Sequence, residues 1–154
     1  MPVIAITAHV LAVIVWIGGM FFGFVALRPA MRDMDTLAAA RFWCALLSRF
    51  LPWVWAAIVV LLVSGTYMVF NGFGGFRQLP WFVQFMMGIG IFMMMLTGHL
   101  TFSAFKKLKR ALAASNGALA SKTMQQIRLV MDVNLLLGIV VVIVIMSGAY
   151  LATD

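Results

Sequence analysis

The chain has 154 residues, 65% of them hydrophobic and 10% charged, with mean hydropathy +1.11 and a formal net charge of +7. A soluble domain of this size buries only ~70% of the surface its unfolded chain exposes, too little to hide so much apolar side chain. Composition therefore excludes a soluble enzyme or a nucleic-acid-binding module and points to a bilayer as the solvent.

Crossing a hydrocarbon core takes ~20 apolar residues as a helix. Four stretches qualify, at 3–27, 50–70, 81–105 and 133–153, and none contains Lys, Arg, Asp or Glu. The expected fold is all-α: one domain over 1–154, a transmembrane four-helix bundle. Span one lacks a basic leader and is followed by arginines, so it reads as a retained helix and not a cleaved signal. Beyond it, Arg28-Pro29 ends the span, and Asp33 and Asp35 are placed to cap a helix whose Leu37, Arg41, Cys44 and Ser48 form an interfacial stripe. Cys44 is the lone cysteine, which rules out an internal disulfide and suits a small packing residue. Pro52 is expected to kink that helix or to start span two afresh.

A short glycine-rich link at 71–77 joins spans two and three. The link between spans three and four turns at Ser115-Asn116-Gly117, and helix resumes through Arg128 and Asp132, whose i,i+4 spacing suits an ion pair. Span two ends in Ser64-Gly65-Thr66-Tyr67 and span four in Ser147-Gly148-Ala149-Tyr150. This shared Ser-Gly-x-Tyr suggests two helical hairpins in parallel repeat.

Ten of the eleven basic residues fall in the links after spans one and three; Arg77 alone lies on the other side. That asymmetry predicts a bacterial-type inner-membrane, multi-pass protein with both termini outside and two basic cytoplasmic links. The positive charge then needs no nucleic acid; anionic lipid headgroups are its default partner.

Only two histidines exist, His9 and His99, and both fall within spans. Ionisable groups there are expensive and functional by default; the competing reading is a neutral imidazole bonded to a carbonyl or to a serine of a neighbouring helix. At ~1.5 Å per residue, His9 lies ~9 Å past Val3 and His99 ~27 Å past Trp81, a difference of ~18 Å that forbids a shared metal. Each needs a second ligand elsewhere. Met86 and Met87 match the depth of His9; Met20 matches that of His99, and Met95 is one turn before it. A His/Met pair suits haem iron or Cu(I), which favours thioether sulfur and imidazole. Thirteen methionines also make flexible apolar filler. Arg77 is the only cation placed to meet a haem propionate at the outer layer, with Arg28 and Lys106 available at the inner one. There is no Glu, and Asp33, Asp35, Asp132 and Asp154 form no catalytic pair, so hydrolase and zinc chemistry lapse.

The run from His9 to Met20, followed by Leu27-Arg28-Pro29, resembles the first helix of small CopD-like membrane proteins. So do Phe50-Leu51-Pro52-Trp53-Val54-Trp55-Ala56, the Phe73-Gly74-Gly75-Phe76 of the link, and Gln126-Ile127-Arg128 leading to Asn134-Leu135. That family takes its name from a copper-resistance protein. A second pattern, His-x-x-Ala-x-x-x-Trp from His9 to Trp16 with His99 ahead of Lys106 and Lys107, is similar to HemJ-type protoporphyrinogen oxidases, which are thought to bind b haem. Those enzymes carry Trp-x-x-x-Lys at span three; here Phe85 follows Trp81 at that spacing, which argues against oxidase activity.

The resemblance implies a metal-handling or haem-bearing bundle and does not choose between the two. Taken with the residues, the expectation is an inner-membrane protein binding one or two b haems with His9, His99, Met86, Met87, Met20 and Arg77, for electron transfer or redox chemistry with a partner or a second copy. The alternatives are a Cu(I) transport or resistance protein using His9, His99, Met87 and Met95, and a cofactor-free subunit of a membrane complex. The topology is tested by a reporter fused after Asp154, which should be active only in the periplasm; activity in the cytoplasm overturns the orientation.

Overall fold

In a computed structural model of the chain, which describes residues 2–151, every regular element is helical. α1 covers Pro2–Phe22 and continues through a π-helical turn at Gly23–Leu27 into the short α2 at Arg28–Ala30. α3 runs over Thr36–Gly72 and is followed by a 3-10 turn at Phe76–Gln78. α4, Trp81–His99, passes through a second π turn at Leu100–Ala104 into α5, Phe105–Ala113; α6 covers Gly117–Leu151. Four of these helical runs are long and apolar enough to cross a membrane, and the protein is a multi-pass membrane protein with an all-α four-helix bundle. Residues 152 and 153 of the expected fourth span, and Asp154, lie outside the described residues.

Local chemistry sets the helix ends. The Asp35 carboxylate accepts the Leu37 and Ala38 N–H groups at 3.0 and 3.2 Å, so Asp35, not Asp33, caps α3. Asn116 does the same for α6 through Leu119 N–H, just after Ser115 turns the chain with φ 49°. In the other link Gly74 and Gly75 take φ 74° and 113°, a region side chains avoid. Pro52 does not start span two afresh: α3 continues through it. Burial of Leu51 and Val54 on either side holds the backbone there, and neighbouring helices make such prolines tolerable in a membrane span.

The main pairings are α1 with α3 and α4 with α6, and α6 also packs on α1, α3 and α5. The tightest core lies toward the basic end, where Trp43, Leu47, Leu108 and Ile127 are at most 1% exposed. Large apolar side chains such as Val63, Leu136 and Ile143 point outward, as lipid contact requires.

An ion pair stitches the basic end. Arg28 donates to both Asp132 carboxylate oxygens, Nη1 to Oδ2 at 2.9 Å and Nη2 to Oδ1 at 2.6 Å, and Nη2 also donates to the Arg128 carbonyl at 3.1 Å. The spacing within α6 had favoured Arg128 as the partner of Asp132. Instead the fork of Arg28 reaches across from the end of span one, and Arg128 lies over the Trp43 ring at 5.9 Å. A planar guanidinium meets a carboxylate at two points, and this arrangement gains that geometry.

Two outcomes follow for stability in detergent. Asp132→Asn should lower it by ~1–3 kcal/mol, because it leaves the half-buried Arg28 charge without its counterion, and the double change Arg28→Met, Asp132→Leu should recover part of the loss in a thermal melt. A Cβ added at Gly148 would come within 2.6 Å of the Phe82 ring, while one at Gly65 would stand 3.5 Å from His9. Gly148→Ala should therefore cost ~1–3 kcal/mol through overpacking, and Gly65→Ala at most ~0.5 kcal/mol; equal losses would refute this packing.

Candidate functional site

Away from the basic end the four spans part around a cavity of about 520 Å³. All four long helices line it, and Phe76 of the glycine-rich link contributes at the rim. That volume lies within the ~300–1,000 Å³ of small-ligand sites. Besides the Trp16 indole, the only lining side chains with nitrogen or oxygen are His9 and Thr66. Five methionines line it as well: Met86, Met87, Met93 and Met94 from α4 and Met146 from α6.

His9 is anchored. Its Nδ1 lies 2.9 Å from Ser64 Oγ on α3, and Ser64 Oγ donates its hydrogen to the Val60 carbonyl at 2.6 Å. Ser64 is 6% exposed, and the imidazole edge at Cε1 lies near Gly65, 3.5 Å from where a Cβ would stand. His9 is thus bonded to a serine of a neighbouring helix, one of the two readings its sequence context allows. The bond occupies a single ring nitrogen. Nε2 makes no hydrogen bond among the described residues.

The depth match between His9 and the α4 methionines has a counterpart in the backbone. His9 stands fourteen residues before the π turn that begins at Gly23, and Met86 fourteen residues before the one that begins at Leu100. π turns are rare insertions and often accompany functional sites. Their occurrence at matching places in spans one and three fits two repeated hairpins, in which an imidazole in one half answers a thioether in the other.

The other candidates are not gathered there. His99 is exposed on α4 and Met95 is 60% exposed, and neither lines a cavity. Met20 is buried and lines a second, water-sized space of about 20 Å³ together with Met131, Thr97 and Asn134. Trp16 lines both spaces and stands between them. Arg77 is exposed and outside the lining, and Arg28 is occupied by Asp132. Among the described residues no three His, Cys, Asp or Glu side chains come together as a metal site would need.

Sequence reasoning placed His9, Met86 and Met87 in one layer but missed Met93, Met94, Met146 and Thr66. The signal for Met93 and Met94 was present, since they lie seven residues, about two turns, beyond Met86 and Met87 on the same helix. Met146 sits beside the repeated Ser-Gly-x-Tyr, and no spacing rule links it to span one. Ser64 was visible as part of the repeat, without sign of what it touches.

The family model for copper resistance protein D, CopD, covers residues 44–148, which include Ser64 and the α4 methionines and leave His9 and Met20 outside. No curated protein and no solved structure matches the chain. A match over two thirds of the chain, on a bundle of four membrane-crossing helices, makes this chain a member of the CopD family.

Proposed function

We propose that this CopD-family protein binds Cu(I) as cargo inside the membrane, at the large cavity, with His9 and the thioethers of Met86 and Met87 as its ligands. The observation that carries this reading is the lining itself: one imidazole with an uncommitted nitrogen, five thioethers, no carboxylate and no cation. Soft sulfur and imidazole donors select Cu(I) over hard divalent ions. They also replace a hydration shell that the ion loses on entering an apolar space. The family's association with copper resistance agrees with that choice. In this reading the protein lies in a bacterial-type inner membrane with both termini outside, so the cavity faces the periplasmic half.

The same lining suits b haem less well. His9 with Met86 offers two axial donors, but two propionates need cations, and neither Lys nor Arg lines the cavity.

Purified protein, reduced and titrated with Cu(I) against a chromophoric Cu(I) chelator, should take up the ion in competition. His9→Ala, or Met86→Leu with Met87→Leu, should weaken binding by at least ~10-fold, about 1.4 kcal/mol. His99→Ala should leave the affinity unchanged, because His99 does not line the cavity. Equal copper binding by wild type and His9→Ala overturns the assignment. A Soret band in protein from haem-replete cells would give the cavity to haem, and neither response would leave a cofactor-free membrane subunit.

A further inference from the structure

We propose that Ser64 is a positioning residue that fixes the tautomer of His9 and so determines which kind of ligand the cavity accepts. The inference rests on the reading of His9 as a ligand only for the identity of that ligand; the tautomer follows from the hydrogen bonds alone.

A serine hydroxyl has one hydrogen to give. Ser64 gives it to the Val60 carbonyl at 2.6 Å, the shorter of its two backbone contacts, the other being 3.4 Å to the Leu61 carbonyl. Its oxygen is then only an acceptor toward the imidazole. The 2.9 Å contact must therefore be Nδ1–H donating to Ser64 Oγ. A neutral imidazole carries one N–H, so Nε2 holds a lone pair and no hydrogen. The chain of bonds runs from His9 through Ser64 into the backbone of α3. Each bond in that chain pairs one donor with one acceptor, and the Nε2 lone pair is left facing the cavity.

The consequence is a restriction on ligand class. Nε2 can coordinate a soft cation such as Cu(I) or Ag(I), or accept a hydrogen bond from a hydroxyl. It cannot donate to a carbonyl or an anion, so ligands that need a donor there are refused. Thr66 is the only other lining residue outside Trp16 that could offer a hydrogen. An outer partner that fixes the tautomer of a ligating histidine also raises its basicity. Ser147, the repeat counterpart of Ser64, is exposed on α6, and π-turn register places Met86 rather than a histidine in that half. Only one of the two hairpins carries the device.

The test uses the full chain in lipid bilayers with ¹⁵N-labelled histidine, and His99→Gln to leave His9 as the single label. In alkaline buffer the ring should show a protonated Nδ1 and an unprotonated Nε2. Ser64→Ala should abolish that preference and, in the chelator competition, weaken Cu(I) binding by ~10–100-fold; Ser64→Thr, which keeps the hydroxyl and its backbone bond, should restore both. A protonated Nε2 in the otherwise wild-type chain overturns the proposal without need of any Ser64 variant, as does an unchanged tautomer in Ser64→Ala. Addition of Cu(I) should move the Nε2 resonance. If the tautomer is as stated and Cu(I) moves nothing, copper is the wrong cargo and the role of Ser64 stands.

Discussion

Backbone polar groups inside a bilayer have no water to bond with, so they must be matched within the same chain. That constraint organises the molecule. It puts all eleven basic residues outside the expected spans, leaves large apolar side chains on the outer surface of those spans, and reduces the polar contacts between spans to a few bonds. Trp55 donates to Thr101, Asn134 to Thr97, and Ser64 engages His9. Ser64 and Thr101 also donate to a carbonyl on their own helix, so that these hydroxyls act as adaptors between backbone and side chain.

The two ends of the bundle divide the work. At the basic end Arg28 and Asp132 join span one to span four, and side chains such as Trp43 and Ile127 are packed almost without exposure. Near-complete packing of this kind resists change and transmits strain. At the other end the same helices diverge around the large cavity, whose walls are mainly flexible thioethers and branched aliphatics. Methionine adapts to irregular gaps and to a guest at little rotamer cost. A rigid end thus holds the helices in register while the opposite end keeps room for a ligand.

The two Ser-Gly-x-Tyr segments stand in unlike surroundings. Both hairpins use a Ser-Gly-x-Tyr segment to let a neighbouring span approach, yet the partner at Gly65 is an imidazole and the partner at Gly148 is the Phe82 ring. One half therefore presents a nitrogen to the cavity and the other presents sulfur from Met86 and its neighbours. In the proposed role, a soft ion would benefit from such a mixed donor set. Two equivalent histidines would have made a harder site.

The architecture was legible in the sequence because bilayer length and charge exclusion act on composition alone: the four spans, the helical class and the cap at Asp35 needed no tertiary information. The layer shared by His9, Met86 and Met87 was legible for a related reason, since helix rise converts residue number into depth. Depth, however, says nothing about which way a side chain points. His99 and Met95 have the right depth for a second layer and face outward, and Arg128 has the right spacing for Asp132 but loses it to Arg28, one hundred and four residues away. Rotation about each helix axis and the choice of partner helix are set by packing among all four spans. Only the tertiary structure could therefore decide that Ser64 meets His9, and that five methionines from two helices share one cavity.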